Sequence, residues 1–549
     1  MTTRFVSIWT IIVALACIEL DSIAWGDWTS FRAGGTSRSD SKLPVNWAPQ
    51  DRIAWQHELP GYGQSTPVVS ASRLYVTAVE GTRKEVALIL CYELDSGKEV
   101  WRFGLKSAND SPSNYMASRA APTPVVDAHA VYAFFETGNV VAVSLKGQEL
   151  WQRDLTADHG KFDNNHGLGS SPAQNESHLF LNIEHKGPSY LIALDKLSGE
   201  TAWRVDRESG SSWSSPIVAN INGTEQLIVS SAGSVTGYDP KNGNQLWTVA
   251  GIEGNTVPSP TAIGSRLFIG ARLPEFAVEG SVRNNCCIDL SAFSSDGPKI
   301  LWRSDKALSD YCSPVHVGEV VYLMNKGGIL YCLDSETGSL HYTRRLGTEC
   351  WGTPIVAGDL VYFFGKDGKT LVVKAGADFE VVSTNILWDE DSPPRPEQYV
   401  EFSGDGHGHG GSGNTQGTSD AFSANSAKKD PGSEVETKDS TAKSERTRGP
   451  SRPGGPGGGM MAAMMAGDKN GDGVLQSDEI SADFKPMLPR IDTNQDGSLD
   501  AAELKAMAES FAARRADSQA AARDPIVYGA AASEGRIVIR TGTRLYCIQ

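Results

Sequence analysis

The chain reads as all-β: an eight-bladed β-propeller of four-stranded blades, interrupted late by a small α-helical insertion. Three observations predict this. A strand, a Gly turn and a returning strand closed by Trp recur along the chain. A Ser/Thr-Pro dipeptide followed by an apolar strand precedes each of these units. An orphan strand near the start lacks a partner, and a three-stranded unit at the far end lacks its fourth strand. Repeats at a fixed period are read first because they decide the architecture.

The turn unit is clearest at Ala193-Leu-Asp-Lys-Leu-Ser-Gly-Glu-Thr-Ala-Trp203, where Gly199 suits a positive-φ turn position. Copies end at Trp101, Trp151 and Trp247, a copy with Tyr in place of Trp ends at Tyr342, and a degraded one ends at Trp302. The openings are Thr66-Pro67, Thr123-Pro124, Ser171-Pro172, Ser215-Pro216, Ser259-Pro260, Ser313-Pro314 and Thr353-Pro354, which gives seven repeats before residue 390. A second apolar strand follows each opening. Four short strands per repeat, separated by Gly/Pro/Asn turns, argue for propeller blades. Residues 524–549 supply three more strands, and Ile53–Leu59 supplies the missing fourth. Joining the two ends closes the ring and removes open edges. Seven blades is the alternative if the last unit is only partial.

The N-terminus, 1–26, has a signal-peptide layout: Arg4, an apolar run from Phe5 to Ile18, then Glu19 and Asp21. Ala24-Trp-Gly26 is one cleavage site. Ala14-Leu-Ala16 before Cys17 is a competing, lipobox-like one, so membrane attachment would come only from an uncleaved signal anchor or a lipid on Cys17. The expected location is the periplasm, the cell envelope or the medium. Residues 27–43 form a lead-in, and 44–390 hold the closing strand and blades one to seven. A formal net charge of −16 excludes nucleic-acid binding through a general basic surface. Export permits disulfides. Without Cys17 seven cysteines remain, an odd number, and Cys91, Cys332 and Cys547 sit in apolar strands as core residues.

Residues 403–459 are Gly, Ser, Thr and mixed charges, a composition that cannot bury a core and is expected to be disordered. His407 and His409 in it read as solvated. Residues 460–523 carry the strongest chemical signal. Asp468-Lys-Asn470-Gly-Asp472-Gly473-Val474-Leu-Gln476-Ser-Asp-Glu479 and Asp492-Thr-Asn494-Gln-Asp496-Gly497-Ser498-Leu-Asp500-Ala-Ala-Glu503 both fit the twelve-residue EF-hand loop. Ca²⁺ needs six to eight hard oxygens, and this spacing delivers them. Asp468, Asn470, Asp472 and Asp492, Asn494, Asp496 give side chains. Val474 and Ser498 give carbonyls, and Gln476 and Asp500 act through water. Glu479 and Glu503 close each site bidentately. Leu475 and Leu499 are expected to face each other in a short β pairing. The loops start at positions 468 and 492, only 24 residues apart, and Pro486 and Pro489 interrupt the connection. A structural or extracellular type of site therefore fits better than a sensor. Met460, Met461, Met464 and Met465 suit the apolar face of an entering helix, and Ala501 to Arg523 reads as the exiting one.

The Gly-turn-Trp unit resembles the tryptophan-docking repeat of pyrroloquinoline-quinone (PQQ)-like propellers over residues 44–390 and 524–549. The layout is similar to exported PQQ-like repeat proteins of planctomycete-type bacteria. The resemblance implies that each Trp stacks between neighbouring blades against the repeat's Gly peptide. It also implies two function classes: quinoprotein dehydrogenases, and binding propellers such as the lipoprotein of the outer-membrane β-barrel assembly machinery. A dehydrogenase of this class would hold PQQ and Ca²⁺ on the ring axis, with a vicinal disulfide in some members. Cys286-Cys287 invites that comparison but lacks the surrounding pattern, in what reads as an irregular part of blade five. It stays open between a structural disulfide and two thiols, and PQQ is disfavoured. Loops facing the axis place Arg119, His166, Trp213 and Trp351 at one mouth, the features of a site for a protein or small-ligand partner. The expectation is an exported calcium-binding propeller of the cell envelope. The alternatives are a PQQ enzyme, which would show quinone absorbance, and a scaffold whose insertion Ca²⁺ merely orders.

Overall fold

The structure, a computed structural model, describes residues 27–81, 83–109, 118–164, 166–231, 233–273, 284–294, 297–304, 306–395, 468, 474–476, 479–480, 492, 496–506 and 526–549. The signal-peptide region, the 403–459 segment, the four methionines and the two prolines of the insertion lie outside these. The chain divides into two compact units, Met1–Val400 with Ala522–Gln549, and Glu401–Ala521.

The first unit is a closed ring of eight antiparallel sheets. Blade three is typical: Ala173–Gln174 lies innermost, then His178–Ile183, Ser189–Asp195 and, outermost, Thr201–Arg207. Blade eight joins the two ends of the chain. Ile53–Glu58 pairs antiparallel with Arg544–Ile548, which continues to Arg536–Thr541 and Val527–Ser533. Eight blades, not seven, therefore close the ring. Apolar clusters fill the interfaces between blades, and one of them runs from blade seven through blade eight to blade one. Phe180, Leu191, Leu227 and Val229 fill the one between blades three and four, and Ile89, Cys91, Val131 and Val141 the one between one and two.

Two repeated contacts explain the two repeated motifs. The outer-strand Trp reaches into the next blade's turn. Nε1 donates to a turn carbonyl in five cases: Trp55 to Leu94, Trp101 to Leu145, Trp151 to Lys196, Trp203 to Pro240 and Trp302 to Ser335, at 2.8–3.0 Å. Trp247 departs from this. In blade five the turn glycine, Gly297, lies by Thr248 O rather than by the Trp247 ring, and Trp247 bonds Gln226 Oε1 in its own blade instead, at 2.8 Å. The Ser/Thr of each opening accepts the N–H of its counterpart in the preceding blade. The chain runs Thr66 to Thr123, Ser171, Ser215, Ser259, Ser313 and Thr353, with bonds of 2.9–3.3 Å. The following Pro holds that residue extended. At the ring seam Gly529 takes the place of the hydroxyl residue, and a Cβ there would lie 2.6 Å from Thr66 Oγ1. Arg540, fully buried, spans the seam by donating to Ser65 O at 3.0 Å and Thr77 O at 2.7 Å.

The lead-in is an axial plug. It meets the innermost strands or their turns around the ring. Trp28 bridges Val69 in blade one, and Thr29 O accepts from Val126 in blade two. Gly35 lies against Ile217 in blade four. Arg38–Ser39 adds a parallel strand to blade seven. Arg32, 2 % exposed, donates to Pro260 O at 3.0 Å in blade five and to Pro314 O at 3.2 Å in blade six. These contacts reach residues within the innermost strands, Val69, Val126 and Val356, and residues that lead into them, Pro260 and Pro314, so the lead-in runs along the inner strands of the ring. The loops that enter those strands lie together on one face.

Cys286 and Cys287 open the strand Cys286–Ser294, on opposite faces, buried and free, and the register against the outer strand shifts between Cys287 and Ile288. Pairing to Ile269 and Phe268 sends the two side chains into different blade interfaces.

Candidate functional site

The open face gathers an aromatic arc. Tyr311, Trp351, Tyr528 and Tyr62 come from the approaches to blades six, seven, eight and one. Their ring centroids are 5.3, 6.2 and 6.3 Å apart in that order. Tilted and edge-on pairs at these distances are attractive beyond their area. The hydroxyls of Tyr62 and Tyr528 are 2.7 Å apart. Two cations flank the arc. Lys366 Nζ lies 5.0 Å from the Trp351 ring and 2.7 Å from a Glu349 carboxylate oxygen, and Lys84 Nζ lies 5.3 Å from the Tyr62 ring. Such placements favour aromatic faces turned toward cations.

A second group stands on the approaches to blades three and four. His166 and Trp213 are 5.9 Å apart, and Trp213 Nε1 donates to Gly167 O at 3.0 Å. Partial burial, reinforced by Arg272 and Lys186, holds the His166 imidazole below its usual range, so it is neutral at pH 7. Of the four residues the sequence places at the mouth, His166 and Trp213 meet, Trp351 belongs to the aromatic arc, and Arg119 lines a cavity with Asn164 and Gly167. Arg119 has φ +70, a left-handed backbone rare outside Gly. Sequence reasoning missed Tyr62, Tyr311, Tyr528, Lys84, Lys366 and Glu136. Tyr311 was findable, because it stands two residues before Ser313-Pro314 as Trp213 and Trp351 stand before theirs.

In the inserted unit the two loops meet as the sequence predicts. Leu475 and Leu499 exchange both backbone hydrogen bonds at 2.9 Å, and each side chain is 1 % exposed. Ile480 and Leu504 are buried in the same unit. Glu479, Asp492 and Glu503 are also buried. A buried carboxylate is costly unless it is bonded or neutralised. Glu479 accepts from Gln476 N at 3.1 Å and Glu503 from Asp500 N at 3.2 Å. Asp492 accepts from Asp496 N and Gly497 N, at 3.2 and 2.9 Å. Gly497, with φ +83, makes the turn. Asp496 accepts from the Ser498 amide and hydroxyl. Asp500 caps the helix start by accepting from Ala502 N and Glu503 N at 2.8 Å. Asn470, Asp472 and Asn494 lie outside the described residues. Among the described residues no three His, Cys, Asp or Glu side chains converge.

Comparison with known proteins adds three findings. The family described as outer membrane protein assembly factor BamB matches residues 37–166, 161–257 and 289–405, well over half the chain. The EF hand family matches residues 489–508, the second loop. Among curated proteins, outer membrane protein assembly factor BamB of Yersinia pestis is 23 % identical over 278 residues, covering 48 % of this chain and 66 % of its own. That of Alkalilimnicola ehrlichii is 26 % identical over 191 residues, covering 33 % and 42 %. The chain thus spans less than two thirds of either relative. Among solved structures, BamB from Moraxella catarrhalis is 12 % identical with a TM-score of 0.43, over 60 % of this chain and 87 % of that one. A quinohemoprotein alcohol dehydrogenase from Pseudomonas putida HK5 is 14 % identical with a TM-score of 0.43, over 64 % and 71 %. No helix among the described residues is long and apolar enough to cross a membrane.

Proposed function

The chain belongs to the outer membrane protein assembly factor BamB family, and from that premise we propose that it is an exported envelope propeller that docks a protein partner at its open mouth and binds two calcium ions in its insertion. The observation that carries the docking reading is the partly exposed trio Tyr311–Trp351–Tyr528 with Lys366 beside it, backed from within by the buried Tyr62 and Lys84. Aromatic anchors ringed by polar groups are the composition of interface hot spots. His166, Trp213 and Arg119 extend the surface on the far side of the mouth.

The calcium reading rests on the two loop sequences and on the Leu475–Leu499 pairing, which sets two such loops back to back. Glu479 and Glu503, the last loop positions, are the bidentate ligands in this reading. With two EF-hand loops present, Ca²⁺ supplies charge neutralisation for carboxylates that are otherwise buried.

The docking reading is tested by retention of a partner from a solubilised envelope preparation on the immobilised chain. The expected result is one protein retained by the wild type and by a Leu197→Ser control, and lost with Trp351→Ala/Tyr528→Ala. Equal retention by all three sinks the mouth as the docking site.

A further inference from the structure

A cavity of about 180 Å³ opens beside Arg119, between the approaches to blades two and three. Its walls include Arg119, Glu136, Lys161, Phe162 and Asn164. Glu136 is 4 % exposed. One of its oxygens, Oε1, accepts from Ser118 Oγ at 3.2 Å and Ala121 N at 3.1 Å. The other, Oε2, is buried with no partner, and so is Asn164 Nδ2. An orphaned buried acceptor is costly, the more so when it carries charge, so a structure that retains one has a reason to. The cavity thus offers one acceptor at one wall and donors at the others, with a carboxylate and two cationic side chains around it. Its volume is that of several waters at roughly 30 Å³ each, enough for a small organic molecule.

We propose that this cavity is a binding site for a small α-amino acid zwitterion, its ammonium on Glu136 Oε2 and its carboxylate toward Asn164 Nδ2, Arg119 and Lys161. A lone amine would meet the two cationic side chains, and a lone carboxylate would meet Glu136. A molecule carrying both charges two bonds apart satisfies both walls. Phe162 supplies the apolar wall for a short side chain. Glu184 stands at the corresponding place in blade three, where its Oε1 accepts from Arg207 and Ser231, both at 2.7 Å, and its Oε2 is likewise buried without a hydrogen-bond partner.

The proposal deepens the mouth reading at Arg119 and is tested apart from partner docking. The full chain from residue 27 is titrated calorimetrically with L-alanine and L-aspartate, and with propionate and ethylamine as half-ligands. Saturable binding is expected for at least one amino acid and none for the half-ligands at the same concentrations. Glu136→Gln, checked by its melting transition, should weaken binding about tenfold or more, the effect of losing a charged hydrogen-bond partner. Lys161→Ala, at an exposed position, should weaken it without touching the fold. The proposal is overturned by no saturable binding of either amino acid, by half-ligands binding as well as amino acids, or by both variants binding like the wild type. Equal partner retention by the wild type and Trp351→Ala/Tyr528→Ala, with amino acid binding intact, would remove the docking reading alone.

Discussion

The Nε1–H of Trp151 donates to the carbonyl oxygen of Lys196 in the next blade, 2.9 Å away, while its ring lies under Gly199. A Cβ on Gly199 would sit 2.6 Å from that ring, at φ +74. Gly199→Ala therefore carries both a clash and a left-handed backbone penalty, together roughly 2–4 kcal/mol. Gly223, at φ +81 with nothing near its Cβ, carries the backbone penalty alone. Thermal melting should show Gly199→Ala well below Gly223→Ala. Equal losses would mean that the Trp–Gly contact contributes nothing.

Glu136 gives a prediction with a definite sign. Burial raises its carboxyl above its ordinary value of 4.5, against Arg119, the Ala121 amide, Lys84 and Ser118, which pull it down. A carboxyl raised on folding favours the native state below the unfolded value and loses that contribution as pH rises through the folded one. Glu136→Gln should then gain stability relative to the wild type at pH 7, and the gain should shrink toward pH 4. A gain that is constant with pH, or that grows on acidification, contradicts this.

The thiols predict a chemical behaviour. All seven described cysteines are buried and free, and burial pushes Cys286 and Cys287 up to about 12. The thiolate is the reactive form. The folded chain from residue 27 should react negligibly with an aromatic disulfide reagent, and the unfolded chain should titrate all seven. Fast labelling of the native protein, or fewer than seven thiols on unfolding without reductant, would mean that the thiols are accessible or paired.

The seam between blades eight and one rests on Arg540, whose guanidinium is held by carbonyl oxygens with no carboxylate partner. Arg540→Ala removes those buried hydrogen bonds and should cost about 2–4 kcal/mol, while Lys98→Ala at an exposed turn position of blade one should cost under about 1. Chemical denaturation midpoints separate the two. Similar midpoints would show that the seam does not depend on Arg540.

Much of this was legible in the chain and some was not. Ser/Thr-Pro and Gly-turn-Trp are local signals because each repeat uses them for the same contact, Thr66 N to Thr123 Oγ1 or Trp101 Nε1 to Leu145 O. The eighth blade could be found because Ile53–Glu58 had no other partner. The plug could not. Arg32 meets Pro260 and Pro314 across more than two hundred residues, and nothing local marks a cation that will be bonded by carbonyls. The aromatic arc was half visible, since Trp351 stands out and Tyr311 shares its place before an opening, while Tyr62 and Tyr528 join only when the ring closes.

The central claim is that this propeller carries calcium in its insertion. Calorimetric titration of chelator-treated chain from residue 27 with Ca²⁺, beside Glu479→Ala/Glu503→Ala, tests it most directly. Two ions bound by the wild type and none by the variant is the predicted result. No binding by the wild type would contradict the calcium account, and an ion retained by the variant would place calcium outside the two loops and revive a quinoprotein reading of the ring.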